Sequence, residues 1–240
     1  DYAAYDEDLS LYQGFIGRTG GPVLELACGT GRLTLPIARQ GIDIVGIDIS
    51  PAMIRLARGK AQQAGLAEHA HFRVADMRDL PLDGRFALAF VPFNSFMHLI
   101  SQEDQLAALA SIHRQLRPGG LLIIDQSNPD MPFLLEADGR LLLEKQWATQ
   151  EGNRILKYVS RTLRLADQIQ DVTFIYEEIS PTGESKRHIL SFAARFFFAP
   201  EGRLLLEKNQ FAVEAIYGSY ELDPYGDDCE QLILVARKKA

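Results

Sequence analysis

The stretch from residue 23 to residue 33, VLELACGTGRL, constrains the fold most, because it joins an apolar strand to a glycine turn and a helix start. Nucleotide-like ligands use this strand–turn–helix architecture. Gly29 and Gly31 are followed by Arg32, Leu33 and Thr34, so the third glycine of the dinucleotide pattern G-x-G-x-x-G is missing. The turn therefore predicts a nucleotide-like ligand whose identity depends on residues farther along the chain.

Strand and helix patterns alternate through the next hundred residues. Ser50-Pro51 is a helix start that leads to a stop at Gly65, and Ser101-x-x-Asp104 opens a second helix. Apolar and β-branched runs predict strands at 23–26, 42–48, 70–75, 86–91 and 121–125. This alternation predicts an α/β protein with a doubly wound parallel sheet.

The pattern changes after residue 140, where short polar turns separate further strands. An antiparallel meander is expected from strands at 141–148, 154–163, 171–179 and 187–198. A helix at 200–210 and strands at 211–217 and 231–237 follow, and the last pair predicts an antiparallel strand in the main sheet. The expected organisation is an amino-terminal lid (1–20), a core (21–139 and 199–240) and a β insertion (140–198).

Composition excludes several classes of protein. The net charge of −7 and the pI near 5.3 argue against a nucleic-acid-binding face and against an anionic membrane surface. No apolar run approaches the roughly 20 residues of a membrane-spanning helix, and no signal-peptide pattern is visible. Cys28 and Cys229 are the only cysteines, without metal-type spacing. We expect a cytoplasmic protein with no metal site.

Polar residues at the expected strand ends identify the ligand more closely. Asp48 lies seventeen residues beyond Gly31, near the position at which an acid binds both ribose hydroxyls. Asp76 can accept from the exocyclic amine of a purine, and Met77 can press its thioether against the ring. An adenosine without a pyrophosphate fits this set better than NAD does, and S-adenosylmethionine is such a ligand.

Five stretches that lie in order between residues 22 and 126 resemble the class I S-adenosylmethionine-dependent methyltransferases. They read ELACGTGRL, VGIDISPAMIRLAR, ADMRDL, FVPFNSFMHL and LRPGGLLIID. The resemblance implies a Rossmann-like, seven-stranded sheet whose last strand is antiparallel. The insertion and the segment GSYELDPYGDD are similar to bacterial small-molecule methyltransferases, including sugar N-methyltransferases. The implied reaction is in-line methyl transfer to nitrogen or oxygen of a small-molecule acceptor, with S-adenosylhomocysteine as product.

The resemblance also implies roles for individual residues. Glu25 would anchor the glycine loop or the ammonium of the cofactor, Ile49 would pack on adenine, and Phe93 would offer backbone contacts. Tyr2, Tyr5 and Tyr12 lie in a segment that folds over the cofactor in the resembled enzymes, although three aromatics are as often a buried helix face. The expected cofactor-binding residues are Tyr12, Glu25, Ala27, Gly29, Gly31, Asp48, Ile49, Met53, Asp76, Met77, Phe93 and Asn94.

Acceptor chemistry is less constrained. His98 is the candidate general base, and its alternative role is a histidine at a helix edge satisfied by a backbone carbonyl. Acceptor specificity is expected near the tyrosines at the end of the penultimate strand, which are Tyr217, Tyr220 and Tyr225. One alternative function is a non-catalytic binding module for the same cofactor that forms a homodimer through the insertion. Another is a nicotinamide oxidoreductase with Asp48 on the ribose.

Overall fold

The structure is a computed structural model that describes residues 5–239, so Tyr2 lies outside the described part of the chain. Its α-helices are α1 (Leu9–Thr19), α2 (Thr34–Ala38), α3 (Pro51–Gln63), α4 (Gln102–Gln115), α5 (Met131–Ala137) and α6 (Ala199–Lys208). Its first strands are β1 (Val23–Leu26), β2 (Ile44–Asp48), β3 (Ala70–Val74), β4 (Phe86–Val91) and β5 (Leu116–Ser127). The others are β6 (Leu141–Ala148), β7 (Arg154–Arg164), β8 (Ile169–Ile179), β9 (Ser185–Arg195), β10 (Phe211–Tyr217) and β11 (Gln231–Lys238).

Within residues 5–239, seven strands form the main sheet in the order β10-β11-β5-β4-β1-β2-β3. The strands β1 to β5 pair in parallel, whereas β11 runs antiparallel to both β5 and β10. The prediction of a doubly wound sheet with an antiparallel last strand is confirmed. The reversal of strand order between β1 and β4 places their carboxyl ends beside one crevice, where ligands bind in open α/β sheets.

Burial along the strands follows their place in the sheet. All six residues of β4 are buried, as expected for a central parallel strand covered on both faces. In β3, at the sheet edge, buried Ala70 and Phe72 alternate with exposed residues. The core around them includes Phe15 of α1, Ile37 of α2 and Ala57 of α3. The helices thus bury the central strands, while the edge strand β3 keeps exposed residues.

The predicted helix starts are confirmed by their capping hydrogen bonds. The Ser50 hydroxyl accepts from the Met53 amide at 3.4 Å, and Pro51 is the first residue of α3. The Ser101 hydroxyl accepts from the Asp104 amide at 3.0 Å at the start of α4. Each cap satisfies one of the amides that a helix leaves without an intrahelical partner.

Two features differ from the sequence-based expectations. Strand β5 extends beyond 121–125 at both ends, because Leu116 pairs with Phe86 and Ser127 pairs with Gln231 of β11. The helix expected after the glycine turn is present as α2 but has only five residues, and the seven-residue helix α5 was not predicted. A short helix shows little amphipathic periodicity, although the Asp130 cap of α5 accepts from the Phe133 amide and was a readable signal.

The chain divides into two compact units. One contains the main sheet, with the described residues up to Phe96, residues 101–128 and those from Phe198 onward. The other contains residues 97–100 and 129–197. Its four strands are ordered β6-β7-β8-β9 and pair antiparallel, which confirms the predicted β insertion. A small apolar cluster that includes Met97, Leu134 and Phe196 is buried within this second unit.

Candidate functional site

The loop after β1 leaves one side of its backbone open. Ala27, Gly29 and Gly31 all have positive φ angles, of 56°, 55° and 83°. A side chain built on Gly29 would meet nothing within 4 Å, whereas one on Gly31 would lie 3.1 Å from the Phe72 ring. Gly31 is therefore required by conformation and packing, and Gly29 by conformation. Only at Gly29 is the space above the backbone free for a ligand.

Asp48, at the end of β2, is bound to this loop. One carboxylate oxygen accepts from the Gly29 amide at 2.9 Å, and the other accepts from the Ser50 amide at 2.8 Å. Because the Ser50 hydroxyl caps α3, Asp48 is not needed as the cap of that helix. A carboxylate offers about four acceptor positions, so Asp48 retains capacity for two hydroxyl donors.

Two apolar side chains next to Asp48 are exposed. The exposed fraction is 67% for Ile49 and 42% for Met53. Ile49 follows the last residue of β2, and Met53 lies in the first turn of α3. Apolar exposure beside a fixed carboxylate is the combination that a nucleoside requires, since a base needs a flat apolar contact and a ribose needs acceptors.

Glu25 is buried in β1, two residues before Ala27 of the glycine loop. The Thr34 hydroxyl donates to it, and the Arg32 charge favours its ionised form. Burial outweighs both effects and raises the pKa of Glu25 to about 8. A buried carboxyl that holds its proton at neutral pH becomes an anion readily when a cation is placed beside it.

The loop after β4 also adopts a left-handed conformation. Phe93 and Asn94 have φ angles of 52° and 64°. The Phe93 amide donates to the carboxylate of Asp125 at 3.0 Å. The Asn94 amide donates to the main-chain carbonyl of Asp125, also at 3.0 Å. The Asn94 side-chain oxygen accepts from the Ser127 amide at 2.6 Å. Strand β5 therefore holds this loop in shape.

Asp125 joins three separate segments. Besides the Phe93 amide, its Oδ2 accepts from the hydroxyl of Tyr12 at 3.1 Å and from that of Tyr220 at 3.4 Å. Its Oδ1 is buried and has no hydrogen-bond partner among the described residues. Burial raises the pKa of Asp125 to about 6, against the opposing effect of its amide and hydroxyl donors. No role was predicted for Asp125, although an acid after the apolar run LLII was a readable signal.

The amino-terminal segment is tied to the glycine loop by Arg32. Its guanidinium binds both carboxylate oxygens of buried Asp8 at 2.6 and 2.7 Å and donates to the Tyr5 carbonyl at 3.0 Å. It also lies 5.4 Å from the centre of the Tyr5 ring and 5.2 Å from that of Phe93. A bidentate ion pair of this kind fixes both the position and the orientation of the two side chains.

Two predicted site residues, Tyr12 and Asp76, have other partners in the structure. The Tyr12 side chain is fully buried, with its ring stacked on Phe90 at 4.3 Å. Asp76 forms an ion pair with Arg78 at 2.6 Å, which lowers the pKa of Asp76, and Met77 beside it is half-buried. Their cofactor contacts remain predictions.

His98 belongs to the second unit, where its ring packs 5.3 Å from that of Phe192. This packing desolvates the imidazole and lowers its pKa, although the residue keeps an exposed surface. A lowered pKa favours the neutral imidazole that a general base requires. The catalytic role of His98 remains a prediction.

Comparison with known proteins finds methyltransferases. A family model for a methyltransferase domain matches residues 23–120. A putative methyltransferase of Bacillus subtilis is 32% identical over 125 residues, which are 52% of this chain and 49% of that relative. The cypemycin N-terminal methyltransferase of a Streptomyces species is 25% identical over 96% of this chain and 87% of its own length. The chain thus spans about half the length of the Bacillus relative.

Solved structures share the whole architecture. A S-adenosylmethionine-dependent methyltransferase from Clostridium acetobutylicum has a TM-score of 0.83 and 16% identity, over 98% of this chain and 92% of its own. The sugar N-methyltransferase KedS8 from a Streptoalloteichus species has a TM-score of 0.77 and 18% identity, over 98% and 88%. The fold is therefore the one seen in S-adenosylmethionine-dependent methyltransferases of known structure. Residues 23–120 match the methyltransferase domain, and the insertion of this chain follows the fifth strand of the shared fold.

Residues 5–239 lack the features of two other kinds of site. No helix in this part of the chain is both long and apolar enough to cross a membrane. The same residues contain no group of three or more His, Cys, Asp or Glu side chains arranged to hold a metal ion.

Proposed function

We propose that the protein transfers a methyl group from S-adenosylmethionine to nitrogen or oxygen of a small-molecule acceptor. The observation that carries this proposal is the contact between Asp48 and Gly29. It holds an acceptor-rich carboxylate and an open stretch of backbone side by side at the sheet crevice. The family match and the shared fold support the same cofactor.

The residues at the crevice fit the chemistry of this cofactor. Asp48 offers lone pairs for the two ribose hydroxyls, while Ile49 and Met53 offer exposed apolar surface for adenine. The free space over Gly29 suits the amino-acid portion, and buried Glu25 suits its ammonium. A pyrophosphate has no third glycine at which the helix start could approach it.

When bound, the cofactor supplies a methyl group already activated by a positively charged sulfur, so the protein need not create an electrophile. The tasks left to this chain are orientation and exclusion of water. Asp125 holds the Phe93 turn, and the Arg32–Asp8 pair holds the amino-terminal segment against the glycine loop. Both contacts fix the walls of the crevice before any ligand arrives.

Titration calorimetry with S-adenosylhomocysteine tests the assignment of the ribose to Asp48. Asp48→Asn should weaken binding by on the order of 2 kcal/mol, because it removes a charged acceptor from two hydrogen bonds. Asp83→Asn is the matched control, since Asp83 is exposed in the same unit and lies on the segment before β4. The control should bind as the wild type does.

Thermal shift and product analysis complete the test. S-adenosylhomocysteine should raise the melting temperature and NAD should not, because only a ligand of the native state stabilises it. Stabilisation by NAD alone, or unchanged affinity in Asp48→Asn, contradicts the proposal. Cofactor binding without methylated product from any amine or hydroxyl acceptor would favour the non-catalytic binding module instead.

A further inference from the structure

A cavity of about 490 Å³ opens beside the candidate site, within the unit that contains the main sheet. Tyr5 and Tyr220 form part of its wall, and the loop between β10 and β11 forms most of the rest. The volume is in the range typical of sites for small molecules. The charged side chains that line it are all acidic. Five carboxylates contribute to it, and they belong to Glu7, Glu221, Asp223, Asp228 and Glu230.

The lining, as described for residues 5–239, includes no lysine, arginine or histidine. Acidic residues on a surface loop are often only solvated, so the charge by itself identifies no site. One residue of the cavity wall, Tyr220, also contacts a buried polar group. The Tyr220 hydroxyl donates to Asp125, whose Oδ1 is buried without a hydrogen-bond partner among the described residues. A buried acceptor left unpaired costs stability, and a role in binding or catalysis is one explanation for it.

The cavity is also connected to the cofactor crevice through its wall. Tyr5 hydrogen-bonds with Tyr220, and its main-chain carbonyl accepts from Arg32, the residue after Gly31. The Tyr5 ring lies 5.1 Å from that of Phe93, on the turn that Asp125 holds. The same few side chains therefore border the cavity, the glycine loop and the turn after β4.

We propose that this cavity binds the methyl acceptor and that the acceptor is an aliphatic primary amine, which enters as its ammonium ion. This inference rests on the proposed methyl transfer. The carboxylates attract the cation and the two tyrosines contact its carbon skeleton. Bound ammonium first releases a proton to water. The nitrogen lone pair then forms the bond to the methyl carbon as the carbon–sulfur bond breaks, and the sulfur keeps that electron pair.

Matched pairs of ligands, in which one member has an ammonium group and the other does not, test the amine. Ligand-observed NMR titrations in saturating S-adenosylhomocysteine would compare glucosamine with glucose, and a tetra-alanine peptide with its amino-terminally acetylated form. These pairs separate a small amine from a peptide amino terminus. The charged member of at least one pair should bind about fivefold tighter or more, and added salt should reduce the difference. Equal affinity within both pairs overturns the inference.

Two double variants locate the binding. Glu221→Gln with Asp228→Asn should lower the affinity for the charged ligand by about fivefold, since both side chains are exposed and line the cavity. Glu207→Gln with Asp227→Asn removes the same charge from exposed residues outside the lining and should bind like the wild type. Equal losses in the two variants would show a general charge effect and overturn the site.

Affinity for S-adenosylhomocysteine, measured alongside, separates the two proposals. If the cofactor product binds and the amine preference is absent, the acceptor assignment fails while methyl transfer stands. If the amine preference is present and the cofactor product does not bind, the proposed function fails and the cavity is a cation site of another kind.

Discussion

The two sheets bury charges of opposite sign. The main sheet buries the carboxyls of Glu25 and Asp125, whereas the insertion buries Lys157 in β7 and Arg195 in β9. The ammonium of Lys157 is paired with the Glu144 carboxylate at 2.6 Å and lies 4.2 Å from the centre of the Phe174 ring. Asp125 has an oxygen without a partner among the described residues, and burial raises the pKa of both acids.

The difference lies in how each buried charge is compensated. A buried ion pair such as Lys157–Glu144 compensates its own desolvation inside the protein. A buried carboxyl with a raised pKa is compensated only by a proton or by an arriving cation. The proposed ligands, a sulfonium cofactor with an ammonium group and an amine acceptor, are both cations. Under the proposal, a bound cation would compensate the desolvation of the buried carboxyls in the main sheet. In the insertion, Glu144 already compensates the buried ammonium of Lys157.

The pH dependence of stability is the largest effect expected from this contrast. The pKa of Glu25 is raised to about 8 in the folded protein, so the folded state holds its proton over a range where the unfolded chain has lost it. The free energy of unfolding is therefore highest below the unfolded pKa, and it falls by on the order of 4 kcal/mol as pH rises from 4.5 towards 8. Urea unfolding followed by circular dichroism measures it.

Glu25→Gln should remove most of that slope and be more stable than the wild type at pH 8, because the amide cannot ionise. Glu68→Gln is the control, since Glu68 is exposed in the same unit. It should retain the slope of the wild type. If stability falls with pH as steeply in Glu25→Gln as in the wild type, Glu25 is not the group that causes the pH dependence.

Breaking the ion pair of the insertion should have the next largest effect. Glu144→Gln leaves the buried ammonium of Lys157 without that carboxylate and should cost about 2 kcal/mol, discounted because Glu144 is one-third exposed. Lys157→Met should cost less, since the methionine refills the space of the stem and Glu144 reaches water. Trp147, the only tryptophan, lies in β6 and reports unfolding of this unit by fluorescence. A larger loss in Lys157→Met would reverse the interpretation.

The smallest effect concerns the donors to Asp125. Tyr12→Phe removes a buried hydroxyl at 3.1 Å and should destabilise the protein by about 1 kcal/mol. Tyr220→Phe removes a longer contact of 3.4 Å from a half-buried residue and should cost less. Urea unfolding ranks the two variants, and the opposite order would contradict the geometry. Unchanged affinity of Tyr12→Phe for S-adenosylhomocysteine would assign this hydroxyl to Asp125 alone.

Much of the fold follows from local patterns. The apolar run FALAFV predicted a central buried strand, and Ser50-Pro51 predicted a capped helix, because strand burial and helix capping depend on residues close in the chain. Asp48 was predicted at the site from its distance to the glycine turn. Its bond to the Gly29 amide was not predicted, because that contact depends on how β1 and β2 lie in register.

The sequence by itself determined the alternation of strands and helices, the glycine turn and the acids at the strand ends. Tertiary structure alone decided which charges are left unpaired. The donors to Asp125 lie 113, 32 and 95 residues away along the chain, at Tyr12, Phe93 and Tyr220. Secondary structure follows from the local periodicity of a few residues, whereas desolvation depends on every atom that distant segments pack around a group.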